Sequence, residues 1–192
     1  MKRKRVVSIG CIFILFVSLC FSNAFARKVK GVDFPETATI EGKACKLNGV
    51  GIRKKLIINV YLGGLYLEKP TKNATMVIAS DQVKQVAMHF LYKEVRADQL
   101  VEAWNEGFEK NAGNAVSSMK DRIARFNGYF NEPMKKGETM AMTYVPGKGT
   151  EVKIKGSVKG VIEGEDFMRA LFSIWFGQYP PSNGLKEGML GE

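Results

Sequence analysis

The apolar residues of this chain change period three times, and that order leaves few folds open. Val83 to Tyr92 alternates, with Val86, Met88, Phe90 and Tyr92 on one face, which is the period of a strand. Val101, Trp104 and Phe108 then fall at helical spacing, with Asp98 opening the segment. Val116, Met119, Ile123, Phe126 and Phe130 continue as a second helical stripe. Strand signals return over Thr139 to Val145, Glu151 to Lys155 and Ser157 to Ile162, joined by Pro146-Gly147-Lys148-Gly149 and by Gly156. A nearly all-apolar helix, Phe167 to Phe176, follows Gly164-Glu165. It ends at Gly177, and Pro180-Pro181 forbid its continuation. Ser182 can cap a last short helix through Leu190.

Upstream, Thr37 to Ile40 and Ala44 to Ile52 read as short strands about the turn Glu41-Gly42-Lys43. Leu56 to Leu67 reads as a longer strand. Its Gly63-Gly64 pair marks a bulge or a close approach to the backbone. Thr71 to Ser80 reads as a short helix capped by Thr71 or Asn73, and Asn131 to Gly137 as a loop. This order argues an α+β fold, an antiparallel sheet covered on one face by a layer of helices. The cleft between such layers is a natural place for a lipophilic ligand.

Residues 1–26 read as a signal peptide. Lys2, Arg3, Lys4 and Arg5 precede an apolar run from Val6 to Phe21, and Ala24-Phe25-Ala26 is a small-x-small cleavage signal. The run is short for a membrane span, so cleavage after Ala26 is preferred to an anchor. Lipidation at Cys20 would want a small residue before it, and Leu19 is not small. Residues 27–192 are then one exported domain, expected in a bacterial periplasm, meeting the membrane only during export. A domain of that length buries roughly 70% of its unfolded surface.

Cys45 is the one cysteine left after the leader, so no internal disulfide can form. A Cys–His pair with His89, the single histidine, is conceivable, but both lie in apolar strand patterns. One Cys and one His cannot fill a zinc site, and no cofactor is expected. The net charge is +10, of which four positive charges lie in the leader. The remaining lysines are scattered, with no basic helix and no aromatic–basic interleaving, so nucleic acid is not an expected partner.

Arg53 stands near the start of the strand-forming stretch Asn48 to Glu68, with Tyr61 eight positions on. Arginine's planar fork fits a carboxylate with two parallel hydrogen bonds, and burying it without an anion costs several kcal/mol. The residue therefore marks either an anion-reading pocket or a strand end that reaches water. Glu68 is the neighbouring carboxylate that would neutralise it.

Three segments together resemble the chalcone isomerase-like family: Gly49 to Arg53 with Val60 to Glu68, Phe90 to Phe108, and Phe167 to Gly177 with Pro180-Pro181-Ser182, Lys186 and Leu190-Gly191. The resemblance spans about Phe34 to Gly191. It implies an open-faced sandwich, with a hydrophobic cleft between sheet and helices. It implies that Arg53 matches the arginine that holds the anionic substrate oxygen in the enzymes and the carboxylate in the fatty-acid binders. Tyr61 falls where the fatty-acid binders use a tyrosine. The enzymes' catalytic tyrosine matches Leu100, or nearby Gln99, and neither can serve as its phenol.

Isomerisation needs an anion clamp and a donor aimed at the developing enolate, whereas binding needs the clamp and an apolar sleeve. The expectation is an exported, non-enzymatic binder of a small lipophilic carboxylate such as a fatty acid. Its ligand residues are Arg53, Tyr61, Tyr66, Met88, Phe90, Leu100 and Trp104. An isomerase or lyase, with Tyr66 or Tyr92 as replacement acid, and a partner-binding envelope module are the alternatives.

Overall fold

The computed structural model describes residues 25–192. The leader reading, with Cys11 and Cys20, falls almost wholly outside the described residues. The main sheet has seven strands, all paired antiparallel. In chain order these are β3 (Thr37–Ile40), β4 (Lys43–Lys55), β5 (Ile58–Leu67), β6 (Lys84–Phe90), β9 (Thr139–Val145), β10 (Gly149–Ile154) and β11 (Ser157–Ile162). Their spatial order is β11-β10-β9-β6-β5-β4-β3. A hairpin, β1 (Ala26–Val29) and β2 (Val32–Pro35), precedes them, and a two-residue pair, β7 (Glu94–Val95) with β8 (Met134–Lys135), lies beside the helices in sequence.

One face of the sheet carries the helices: α1 (Ala74–Ala79), α2 (Ala97–Ala112), α3 (Ala115–Ser118), α4 (Lys120–Asn127), α5 (Glu165–Phe176) and α6 (Asn183–Leu190). From Phe167 to Phe176 only Arg169 of α5 is not buried. A helix apolar on nearly all sides is an interior helix, and α5 packs against α1, α2 and β10. Trp104 and Phe108 of α2 meet Phe126 of α4, Phe167 and Trp175 of α5 and Phe130 edge-on or tilted, at centroid distances of 5.5 to 5.9 Å. α6 lies so close to β4 that a Cβ on Gly51 would collide with the backbone carbonyl of Leu185. Backbone-to-backbone contact of this kind is available only to glycine.

The opposite face is also apolar. Ile40, Cys45, Leu47, Leu62, Tyr66 and Val83 form a second cluster there, closed by Phe34 of the hairpin. That hairpin carried no signal in the sequence reading.

Several local expectations change. The Leu56 to Leu67 strand begins instead at Ile58, and Leu56-Ile57 form a two-residue turn. The register slips by one residue on each side of this hairpin: Asn48 is extra on β4 and Val60 is extra on β5. Gly63-Gly64 is not a bulge but a point of close approach, where a Cβ on Gly64 would stand 2.7 Å from the Phe34 ring. Tyr92 lies beyond β6 and is exposed. The 116–130 stripe breaks at Met119, and residues 134–135 pair as a strand inside the expected loop. Asn73, not Thr71, caps α1, its Oδ1 accepting from the Met76 amide at 3.2 Å. Ser182 takes the N-cap position of α6, but its hydroxyl donates to the Ile52 carbonyl at 3.4 Å.

Candidate functional site

The β4–β5 hairpin and α2 bound a cavity of about 180 Å³. Arg53 and Tyr61 face each other across the hairpin, and Met88 and Phe90 follow on β6. The extra residue at Val60 lies next to Tyr61, and both side chains turn to the helix side. A bulge of this kind re-aims the strand beside it. From α2 come Leu100, Ala103, Trp104, Glu106, Gly107 and Lys110, a stripe at helical spacing. Ile174 of α5 and Tyr179-Pro180-Pro181 complete the wall.

Arg53 is half-buried. Among the described residues no carboxylate lies within ion-pair distance of its guanidinium. Beside it lies the Tyr61 ring, 5.7 Å from the guanidinium carbon to the centroid. Glu68 does not neutralise it: that carboxylate accepts from the Val83 amide at 2.9 Å, at the far end of β5. The carboxylate in the cavity wall is Glu106, and it is paired with Lys110. Lys110 holds the Glu106 carboxyl below its ordinary range, with Arg53 and Lys55 pulling the same way.

Tyr61 is buried. Its hydroxyl accepts from the Trp175 indole N–H at 3.1 Å and, among the described residues, donates to no acceptor. Burial raises its pKa, against the opposing pull of Arg53 and Trp175. The phenol therefore keeps its proton at neutral pH and can offer it to an oxygen in the cavity. The indole N–H of Trp104 is buried and, among the described residues, has no partner. The lip is held by Asn111, whose amide donates to the Gly107 and Tyr179 carbonyls at 3.0 and 3.1 Å and accepts from the Tyr179 amide at 3.0 Å.

Arg53, Tyr61, Met88, Phe90, Leu100 and Trp104 thus line one cavity. Tyr66 is not. It points through the opposite face of the sheet, beside Phe34 and Gln85, where burial and the Glu36 charge push it up to about 12. Tyr61 and Tyr66 are an odd number of positions apart, and side chains of a strand alternate. Tyr92, the other candidate acid, is outside the wall and exposed. Gln99 spends its side-chain oxygen on the Arg96 amide at 3.1 Å.

Cys45 and His89 do not meet. Cys45 Sγ lies 4.0 Å from the Val83 carbonyl, and His89 is six residues further along β6, roughly 20 Å at strand rise. Cys45 is buried in the second apolar cluster, where burial pushes its thiol up, with Glu68 adding to it. Among the described residues no group of three or more His, Cys, Asp or Glu could hold a metal ion.

The sequence reading missed Glu106, Lys110, Ile174 and the Tyr179–Pro181 lip. The first two lay within reach of it, since Leu100, Ala103, Glu106 and Lys110 share one helix face.

A family model described as chalcone isomerase-like matches residues 26–191. The chain belongs to the chalcone isomerase-like family. Among solved structures of this fold it is similar to a fatty-acid binding protein from Arabidopsis thaliana. The two are 19% identical with a TM-score of 0.66, over 83% of this chain and 92% of that one. At that identity the likeness establishes the shared fold. No curated protein matches the chain. Within this chalcone isomerase-like fold the cavity lies between the sheet and the helix layer.

Proposed function

We propose that this protein is an exported binder of a lipophilic carboxylate such as a fatty acid, held in the cavity without catalysis. The observation that carries the reading is Arg53, a half-buried guanidinium in the wall of a cavity of mixed polar and apolar lining, with no carboxylate within ion-pair distance among the described residues. An anion repays its desolvation best when it is met in a bidentate geometry. Tyr61 adds a second donor, and Met88, Phe90, Leu100, Trp104 and Ile174 supply the sleeve. The Arabidopsis protein of the same fold is described as a fatty-acid binding protein, which supports the same ligand class here.

Binding is favoured over isomerisation because the family resemblance matches the enzymes' catalytic tyrosine to Leu100 of the cavity wall, and an isobutyl group cannot donate to an enolate. The cavity of about 180 Å³ is smaller than the roughly 300–1,000 Å³ of sites for drug-sized ligands. A short acyl chain suits it, and a long one requires the α2–α5 wall or the lip to part. Export and periplasmic residence rest on the leader sequence, and the N-terminal mass of the protein from fractionated cells tests them.

The deciding experiment is native mass spectrometry of the purified protein, with organic extraction of what accompanies it and titration by a fatty-acid series of increasing length. A carboxylate bound by the wild type and lost in Arg53→Ala supports the reading. Equal binding by a folded Arg53→Ala would sink it, and turnover of an enone would favour an isomerase instead.

A further inference from the structure

The chain makes four two-residue hairpin turns among its described strands, and one of them breaks the pattern of the others. Lys30-Gly31, Glu41-Gly42 and Lys155-Gly156 each place a charged residue and then a glycine at positive φ, between φ 49° and 82°. That is the chemistry such turns favour, since positive φ suits glycine and the tip is wet. The fourth turn, between Lys55 and Ile58, is Leu56-Ile57. Leu56 sits at φ 56°, a left-handed conformation that a leucine adopts only at a cost. Its side chain is 92% exposed and that of Ile57 is 95% exposed. Two aliphatic side chains thus occupy a strained, fully solvated tip where the rest of the fold uses charge and glycine. A local rule broken without structural gain points to a use outside the fold.

The surroundings say what kind of use. Arg53, Lys54 and Lys55 run directly into the tip, and among the described residues Lys54 and Lys55 make no ion pair. Two residues back from Lys55, Arg53 lines the cavity, and Lys55 lies near enough to Glu106 to pull on its carboxyl. Ile58 at the turn and Tyr179 at the cavity lip are also exposed. An apolar tip flanked by cations fits a lipid interface. The aliphatic groups enter the acyl boundary and the lysines meet anionic headgroups. A protein partner would need roughly 800 Å² of matched surface on this side, far more than two side chains offer. A bilayer needs no matched relief.

We propose that the Leu56-Ile57 turn docks this protein on the surface of an anionic membrane, with the cavity mouth facing the lipid. Docking does not depend on what the cavity holds, so it stands or falls apart from the ligand reading.

Ile57→Trp makes the tip report on itself, because Trp104 and Trp175 are buried. Its emission is expected to shift to the blue with vesicles of phosphatidylglycerol and phosphatidylethanolamine, and to be quenched when the lipids carry brominated chains. The parent protein should show neither change. Lys54→Glu/Lys55→Glu in the Ile57→Trp background should weaken the response by roughly tenfold or more, since each lysine near such a surface contributes about 1 kcal/mol. An Ile57→Trp signal that ignores anionic vesicles would overturn the proposal. So would a shift that rises with protein concentration in the absence of lipid, which would assign the tip to a second copy of the chain.

Discussion

Arg53 and Tyr61 stand directly opposite one another on β4 and β5, with the guanidinium carbon 5.7 Å from the centre of the phenol ring. The pairing supports the cation on an aromatic face while leaving its N–H fork unspent among the described residues. Two donors of different kinds, one charged and one neutral, therefore converge on the same cavity. Replacing Arg53 separates charge from geometry. Arg53→Ala should lower affinity for a fatty acid by roughly 10- to 100-fold, as expected for lost charge-assisted hydrogen bonds. Arg53→Lys should recover only part of it, because an ammonium cannot reproduce the bidentate fork. Calorimetric titration of both variants measures the difference. Matching affinities in the two would argue against bidentate capture.

Tyr61→Phe removes the acceptor of the Trp175 indole N–H, which is fully buried. An orphaned buried donor costs about 1–3 kcal/mol, which for a domain of this size lowers Tm by roughly 2–4 °C per kcal/mol. Ligand affinity should fall as well, since the phenol proton is lost. Thermal unfolding with and without ligand reads both effects. A variant as stable as the wild type would show that the Trp175 bond contributes nothing.

Glu106 is the carboxylate nearest in role to a competitor for Arg53, kept occupied by Lys110. Glu106→Gln should tighten binding of an anionic ligand by roughly two- to fivefold, the worth of one partly exposed charge interaction. Lys110→Ala should do the reverse, by freeing Glu106 to turn toward Arg53. The two shifts should shrink at high salt. Affinity measured at low and high ionic strength tests this, and shifts of the same sign in both variants would contradict it.

Lys84 is a fully buried lysine on the helix-facing side of β6. Its Nζ donates to the carbonyls of Val77, Ile78 and Ser80 at 2.6, 3.1 and 2.9 Å, closing the C-terminal end of α1, and lies 4.9 Å from the Phe172 ring centroid. Lys84→Met should cost about 2–4 kcal/mol, because those carbonyls lose their donor in a dry site. Burial pulls the ammonium down from 10.5 to about 8, and the Arg169 charge pulls the same way. Between those two values the unfolded chain holds a proton that the folded chain has released. Wild-type stability relative to Lys84→Met should therefore rise with pH across that window. Urea unfolding of both proteins at the two ends of the window checks the sign.

Periodicity by itself determined the architecture. Alternation over 83–90 and 139–145, and the helical stripes of α2, α4 and α5, record which face of each element is buried, and burial against one core is what sorts strands and helices into layers. Helix spacing alone joins Leu100 to Trp104, whereas only the folded sheet shows that the alternation runs unbroken through Gly63-Gly64 and sends Tyr61 and Tyr66 opposite ways. Local pattern says nothing of register or of what lies across a gap in sequence. The turn at Leu56-Ile57 has no turn chemistry, so Asn48 to Glu68 reads as one strand-forming stretch. Only the folded pairing, with its slips at Asn48 and Val60, sets Arg53 against Tyr61. A lysine in a strand reads as a solvated edge, and only the end of α1 packed above it makes Lys84 an interior residue. The cavity belongs to the same class of facts. In its wall Gly107 of α2 approaches Ile174 of α5 so closely that a Cβ would stand 2.8 Å from it, while Tyr179 is tied to α2 by Asn111. Such contacts join residues far apart in the chain, and their energy depends on shape complementarity that no single segment carries.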